Sequence, residues 1–339
     1  MAGTERIFAG WPINVFLCFR SGRAISRRPL PRSAQMPIKI GQVTATDRPQ
    51  ALAELRAEID RIDETMHRLL IERGEIIGRL IRVKRASESG SAFRPAREAD
   101  MMRRLVERHS GILPLDTAES IWRVIIATFT YVQAPFRVHA DFSAGESAMR
   151  DCERFHFGFT VPVVGHIGPD GVVAAVRAAP ADLGLVAVQA GLAGGGSVWW
   201  AALEASDAPK IIARLPFVER EHHPAGLPVF AIARPHPDAV VRDVDVWSVR
   251  VAGWGARAAQ ALARLAEAVA VPDRAFDGDA LLVPVPASRA LDEITDALVK
   301  AGASVRSRAL VGSHARRYTL GANAAGAAEP RSAVQGWSL

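Results

Sequence analysis

The sequence has few of the residues that build disulfide frameworks or metal clusters. Among 339 residues only Cys18 and Cys152 are cysteines, which is too few for a disulfide framework or a cysteine-based metal centre. Because cysteine-poor chains are typical of reducing compartments, we expect a cytoplasmic protein. No apolar run is long enough to span a membrane, so we expect no membrane partner.

Aromatic residues are also scarce, at 6% of the chain. The formal net charge of +6 suits an acidic partner. Nucleic acid is a poor match, because no basic run is interleaved with aromatic residues. Acidic surfaces and acidic small molecules remain as candidate partners. An apolar content of 49% is typical of a globular protein, and the length favours two domains.

We set residues 1–47 apart from the fold. Residues 7–19 are apolar, but no basic segment precedes them and no clear cleavage site follows, so they make a poor signal peptide. Residues 20–32 are basic and contain no acid. The segment is interpreted as a presequence, a disordered tail or upstream sequence counted as coding, with Met36 as an alternative start. We also expect residues 323–339 to be a disordered tail.

Residues 50–135 carry the pattern of three helices, the first far longer than the others. The first runs from Leu52 to Lys84 with two apolar lines at heptad-like spacing. Pro95 opens the second helix, and the third lies between Pro114 and Pro135. A single helix as long as the first cannot bury both lines inside one small domain, so we predict that it pairs with a second copy.

Arg73 stands in one of these apolar lines, between Met66 and Leu80. A guanidinium buried there needs an anionic partner. Lys84 follows eleven residues later on nearly the same face, roughly 16 Å along the axis. Two cations on one face without an acid predict a pocket for a polyanion. The alternative is that Arg73 extends its charged end into water.

The region from about residue 150 to 322 changes to an α/β pattern, in which short β-branched runs alternate with alanine-rich helical stretches. Its last part reads strand, helix, strand, strand, helix, strand, which is the ferredoxin-like order. The predicted strands are Thr160–Val164, Leu183–Val188, Lys210–Leu215, Val229–Ala233, Val246–Val251, Val271–Phe276, Ala280–Val285 and Ser304–Val311. The predicted helices are Val172–Ala179, Val198–Ala205, Ala256–Val269 and Arg289–Ala301.

Five motifs stand at regular positions along the three predicted helices. They are Leu55-Arg56-Ala57-Glu58-Ile59-Asp60 with Ile62-Asp63, Leu69-Leu70-Ile71-Glu72-Arg73, Val83-Lys84, Pro95-Ala96-Arg97-Glu98 and Gln133. Through these motifs, residues 50–135 resemble the all-helical class of chorismate mutase, with matching helix positions across the whole segment. The resemblance covers about a quarter of the chain and implies an intertwined dimer of three-helix domains without a cofactor or metal.

The family's reaction explains these residue types. Chorismate, a dicarboxylate, rearranges within one molecule to prephenate, and charge develops on its ether oxygen. By resemblance, Arg73 holds one carboxylate and the second subunit's Arg56 the other, as bidentate arginine does well. Arg56 lies about 100° around the helix from Arg73, which fits a contribution to the partner's site. The resemblance also implies that Lys84 donates to the ether oxygen and to a carboxylate, and that Gln133 donates to the ether oxygen. It implies that Glu98 binds the ring hydroxyl and that Arg97 supports this part of the site.

Two positions depart from the family pattern. An acid three residues before the Arg97-Glu98 pair is replaced by Arg94, and a small hydroxyl residue one turn before Gln133 is replaced by Phe129. Both bear on substrate affinity more than on reaction type. An alternative to these functional roles is that Arg97 and Glu98 are only surface charges in the first turn of their helix, and that Arg56 is a solvated helix residue.

The second region faintly resembles prephenate dehydratase, through Asp182-Leu183-Gly184-Leu185-Val186, Leu215-Pro216-Phe217 and Leu227-Pro228-Val229-Phe230. The Thr-Arg-Phe signature of that enzyme is absent, and the glycine-rich stretch 191–196 lacks the spacing of a phosphate loop. His222-His223 is interpreted as a solvated loop rather than a metal site. His314-Ala315-Arg316-Arg317-Tyr318 is interpreted as a solvated strand end rather than a carboxylate site.

We therefore predict a chorismate mutase domain at residues 48–138 and a degenerate dehydratase-like or regulatory domain at residues 150–322. The function implied is conversion of chorismate to prephenate in aromatic amino acid biosynthesis, part of the shikimate pathway. Two alternatives stay open: a bifunctional mutase–prephenate dehydratase, and a non-catalytic sensor of aromatic amino acids with a helical dimerisation unit. Phenylalanine or tyrosine is the expected effector.

Overall fold

The computed structural model describes residues 48–84, 93–190, 198–234, 242–273 and 277–320. The N-terminal extension, the glycine-rich stretch 191–196 and the tail 323–339 lie outside the described residues. The chain divides into two compact units, residues 1–65 and 66–339. Within the described ranges, no helix is long and apolar enough to cross a membrane.

The first three helices follow the sequence pattern closely. They are α1 (Arg48–Lys84), α2 (Pro95–Arg108) and α3 (Leu115–Gln133). Pro95 occupies the first turn of α2, where its missing N–H costs nothing. The apolar lines of α1 are exposed in the single chain, with Ile59 57% and Leu69 58% exposed. Such a face is typical of a helix that packs against a partner.

The remaining elements build a nine-stranded mixed sheet. In chain order they are β1 (Val138–Asp141), α4 (Glu146–Phe157), β2 (Val163–His166), α5 (Pro169–Ala178), β3 (Leu183–Ala187), a 3₁₀ turn (Trp199–Leu203), β4 (Lys210–Leu215), β5 (Val218–Glu219), β6 (Val229–Ala233), β7 (Val244–Ala252), α6 (Ala256–Ala263), β8 (Val269–Asp273), β9 (Gly278–Pro286), α7 (Leu291–Lys300), β10 (Ser304–His314) and β11 (Tyr318–Thr319). The sheet order is β2-β1-β3-β6-β4-β10-β7-β9-β8, and β5 pairs separately with β11.

The last four strands of the sheet confirm the ferredoxin-like pattern. Strands β10, β7, β9 and β8 lie side by side and antiparallel, and α6 and α7 are the two helices of the motif. Strand β10 also meets β4 at Gly312, which pairs with Ile211. A Cβ at Gly312 would lie 2.2 Å from the Ile211 carbonyl oxygen, so only glycine allows this junction between the two halves of the sheet.

Several predicted elements differ from the structure. The helix predicted at Val198–Ala205 is a short 3₁₀ turn, and α6 ends at Ala263 rather than at Val269, where β8 begins. Strand β1 and helix α4 were not predicted. Strand β1 is only four residues long and buried throughout, so it lacks the alternation that marks a strand with one solvated face.

Helices α2 and α3 share a hydrophobic core with the sheet. Met102 of α2 and Ile126 of α3 belong to the same buried cluster as Val138 of β1 and Leu215 of β4. A second cluster fills the ferredoxin-like part between its helices and its strands. Helices α2 and α3 are therefore packed as part of one body with the first half of the sheet.

Candidate functional site

Arg73 is partly buried and stacks on an aromatic ring of α3. Its guanidinium carbon lies 4.4 Å from the ring centroid of Phe129. Its Nη1 is buried and has no hydrogen-bond partner among the described residues. Burial lowers the pKa of Arg73, and the nearby charge of Arg97 lowers it further. A partly desolvated guanidinium with a cation beside it and an unused donor can accept an anionic ligand.

Gln133 lies one helical turn after Phe129, at the end of α3. Its Nε2 donates to the Phe129 carbonyl oxygen at 3.0 Å. A side-chain amide carries two N–H donors, so one remains for a ligand. The structure thus brings Arg73 and Phe129 together, with Gln133 one helical turn along α3 and Arg97 exposed at the first turn of α2.

Lys84 is the last residue of α1, and its side chain lies outside the described part of the structure. Arg56 is exposed on the first half of α1. It belongs to the other compact unit, residues 1–65. The expected sharing of Arg56 between two chains therefore stays a prediction.

Glu98 is only 4% exposed and is held by a residue that the sequence analysis did not single out. Arg123, in α3, donates from Nη1 to Glu98 Oε2 at 2.7 Å, and both side chains are buried. Burial raises the pKa of Glu98, while the charge of Arg123 and a backbone hydrogen bond from Arg94 oppose that rise. The signal for Arg123 was the one that identified Arg73, a cation inside an otherwise apolar helical stretch.

Two histidine predictions need correction. His223 was expected in a solvated loop, but it is buried, and its Nε2 faces the Glu119 carboxylate at 3.4–3.5 Å. Its neighbour His222 is exposed, as predicted. His314 was expected at a solvated strand end and is 2% exposed. Both errors arise because local sequence does not report packing by distant elements.

A second polar cluster, also missed, lies in strands β1 and β2. His139 Nε2 donates to Asp182 Oδ2 at 3.1 Å, and His139 Nδ1 lies 3.0 Å from His166 Nε2. An ionised carboxylate can only accept a hydrogen bond, so a neutral His139 carries its proton on Nε2. Its Nδ1 then accepts a hydrogen bond from Nε2 of His166. Burial lowers the pKa of His166, and His139 adds to that effect.

In the described part of the chain, no group of three acidic, histidine or cysteine residues is arranged to hold a metal ion.

A segment that matches a known family contains Arg73, Arg97, Glu98 and Gln133. Residues 55–134 match the family model described as chorismate mutase type II. This segment is similar to a chorismate mutase domain of that type. The family resemblance that the motifs indicated is confirmed, and every site residue inferred from it lies inside the matched range.

One curated relative and two solved structures are similar to parts of the chain. The chain is 29% identical over 142 residues to a bifunctional chorismate mutase/prephenate dehydratase from Stutzerimonas stutzeri, covering 41% of this chain and 39% of that protein. The chain thus spans about two fifths of the length of this relative. Among solved structures, the quorum-quenching acylase GqqA is 15% identical with a TM-score of 0.34, covering 53% of this chain and 94% of its own. Prephenate dehydratase from Streptococcus mutans is 10% identical with a TM-score of 0.31, covering 54% and 99%.

Proposed function

We propose that the protein is a chorismate mutase, which converts chorismate to prephenate in aromatic amino acid biosynthesis. The observation that carries this proposal is Arg73, whose buried Nη1 has no partner within the described residues and which lies near a second cation, Arg97. Chorismate carries two carboxylates, and paired cations on a partly desolvated face suit such a ligand. The family match over residues 55–134 supports the same reaction.

The proposed catalysis needs no nucleophile, metal or redox group from the protein. The side chains hold the substrate in its compact conformer, which removes most of the entropic cost of reaching the cyclic transition state. They also stabilise the charge that develops on the ether oxygen. We assign Lys84 and Gln133 to that oxygen, Arg73 and the partner subunit's Arg56 to the two carboxylates, and Glu98 with Arg97 to the ring hydroxyl.

A homodimer forms part of this proposal. The exposed apolar lines of α1 support it, because a face that carries Leu55, Ile59, Ile62 and Leu69 in water favours association. We further propose a cytoplasmic location, which fits the two cysteines of the chain. Sedimentation of the purified protein and cell fractionation test these two points.

The direct test is a cofactor-free assay of the purified protein with chorismate, following the loss of chorismate and the appearance of prephenate and phenylpyruvate. Prephenate formation that saturates with substrate is the expected result. Unchanged chorismate would contradict the proposal and favour a non-catalytic sensor. Phenylpyruvate would favour the bifunctional alternative, which the missing Thr-Arg-Phe signature argues against.

For the ferredoxin-like part we propose a regulatory role with phenylalanine or tyrosine as effector. A surface pocket of about 270 Å³ at one end of this part supports the idea, because it is lined by the indole ring of Trp247, by Arg289 and by the ion pair of Arg242 with Asp245. An aromatic amino acid carries the complementary groups. Mutase kinetics with each amino acid, in the wild type and in Trp247→Leu, test this. A response that Trp247→Leu leaves unchanged would place the effector elsewhere.

A further inference from the structure

Arg123 is the most thoroughly buried cation that the structure describes, with no exposed surface. Its Nη1 donates to Glu98 Oε2 at 2.7 Å, and its Nη2 donates to the His156 carbonyl oxygen at 3.1 Å. Its guanidinium carbon lies 5.1 Å from the ring centroid of Phe217. One planar group therefore contacts three separate elements and is fixed by all of them.

These three contacts join two regions of the chain. Glu98 is in α2, inside the segment that matches the mutase family. His156 is in α4, and Phe217 lies between β4 and β5, both outside that segment. Because the side chain of Arg123 is held from the α/β side, the position of the Glu98 carboxylate depends on elements that the mutase family model does not include.

The buried negative charge of Glu98 makes its carboxylate strongly dependent on Arg123. A buried carboxylate is costly unless a cation or several donors compensate it. Among the described residues, Arg123 is the only cationic side chain that forms an ion pair with Glu98. A carboxylate offers about four lone-pair positions, so Glu98 can accept from Arg123 and from a ligand hydroxyl at the same time.

A second buried arginine provides a natural comparison. Arg220 donates from Nε and Nη2 to Asp116 Oδ1 at 2.9 and 2.5 Å, and from Nη1 to Glu119 Oε2 at 2.6 Å. It also joins the α/β region to α3, and its side chain is 9% exposed. Arg220 contacts Asp116 and Glu119, whereas Arg123 contacts Glu98. The two arginines thus have similar structural roles and different carboxylate partners.

We propose that Arg123 is a positioning residue for Glu98, through which the α/β region sets the geometry of the mutase site. The proposal rests on the function proposed above, in which Glu98 binds the ring hydroxyl of chorismate. Arg123 compensates part of the cost of burying the carboxylate and fixes its direction without touching the substrate. The mutase domain is then dependent on the α/β region for substrate binding, and not merely linked to it.

A double-mutant cycle in the full chain tests this. The variants are Arg123→Gln, Glu98→Gln and the two combined, with kcat and KM for chorismate as readout. We expect each single change to raise KM about tenfold with a smaller effect on kcat, and the double variant to be no worse than Glu98→Gln alone. That non-additivity is expected because Arg123 acts only through Glu98.

Arg220→Gln, alone and combined with Glu98→Gln, is the matched control. It should lower the melting temperature much as Arg123→Gln does, since each removes a buried arginine that joins α3 to the α/β region. Its effect on kcat/KM should be the same in both backgrounds, within about twofold. If the two arginines contributed only to stability, both variants would lose kcat/KM to a similar extent. Neither would then show a non-additive effect in combination with Glu98→Gln.

Additive effects of Arg123→Gln and Glu98→Gln would overturn the inference, as would equal coupling of both arginines to Glu98. Should Arg123→Gln fail to fold, Arg123→Lys keeps the charge but can reach only one of the two acceptors. We then expect a smaller rise in KM that again disappears in the Glu98→Gln background. An inactive wild type would overturn the proposed function together with this inference, whereas an active wild type with additive variants overturns the inference alone.

Discussion

The guanidinium carbon of Arg73 lies 4.4 Å from the centroid of the Phe129 ring. Arg73 occupies a position in α1 where the heptad-like pattern calls for an apolar residue, and Phe129 occupies a position in α3 where the family resemblance implies a small hydroxyl residue. The two departures meet in space. The aromatic face compensates part of the desolvation of the cation, so the ring holds the arginine in place without using its hydrogen-bond donors.

We expect Phe129→Leu to weaken substrate binding. Leucine retains apolar volume but lacks the aromatic face, so Arg73 loses an interaction of about 1 kcal/mol and KM for chorismate should rise about fivefold. Phe159→Leu is the matched control, because Phe159 also stacks on an arginine, Arg154 at 4.8 Å, but is 82% exposed. The measurement is KM for chorismate in both variants, by steady-state kinetics. An unchanged KM in folded Phe129→Leu would contradict the assigned role.

Lys84→Ala should lower turnover about a hundredfold while the protein stays folded. The reason is the loss of one donor to a developing oxyanion, which costs about 3 kcal/mol. Arg79→Ala serves as the control, since Arg79 is an exposed cation on the same helix. The measurement is kcat at saturating chorismate, with circular dichroism to verify folding. Turnover like that of the wild type in folded Lys84→Ala would rule out the assignment.

A mixture of two inactive variants should recover activity if the sites are shared between subunits. In a dimer of Arg56→Ala with Arg73→Ala, one site has both arginines and the other has neither. Random exchange makes half of the dimers mixed, so about a quarter of wild-type activity should return. Each variant mixed with itself is the control. No recovery, under conditions where labelled subunits demonstrably exchange, would disprove a shared site.

The helical part of the fold could be predicted because its signals are local. The 3.6-residue periodicity of α1 and the prolines around α2 and α3 act over a few residues, and the predicted bounds hold within a few positions. The ferredoxin-like part was predictable for a similar reason, because its strands alternate clearly with short helices.

The parts that were missed depend on contacts distant in sequence. Glu98 meets Arg123 across 25 residues, and His139 meets Asp182 across 43. No local pattern records such pairs, because burial of a charge is decided by the element that packs over it. A cation inside an apolar helix was the available signal, and it was used for Arg73 but not for Arg123.

His314 offers a test of the sheet junction through pH. It lies at the end of β10 and is 2% exposed; its Nδ1 donates to the Ala315 carbonyl oxygen at 2.8 Å. Its Nε2 is buried and has no hydrogen-bond partner among the described residues. Burial lowers the pKa of His314 to about 4, from an ordinary value of 6.5.

The sign of the pH effect follows from linkage. Below pH 6.5 the unfolded chain binds a proton at this histidine, whereas the folded chain does not until about pH 4. The free energy of unfolding should therefore fall as pH drops through that window, by about 3 kcal/mol for this group. Above pH 6.5 both states are neutral at His314, and the group adds no pH dependence.

We expect His314→Gln to reduce this acid sensitivity, because glutamine cannot take up the proton. Urea unfolding at several pH values between about 7 and 4.5 should show a stability slope smaller than that of the wild type by about 1.4 kcal/mol per pH unit. His222→Asn is the control, since His222 is exposed and asparagine tolerates its positive φ of 56°. That control should keep the wild-type slope. An equal slope in His314→Gln and the wild type would mean that His314 takes up a proton in the folded state, contrary to its burial at the end of β10.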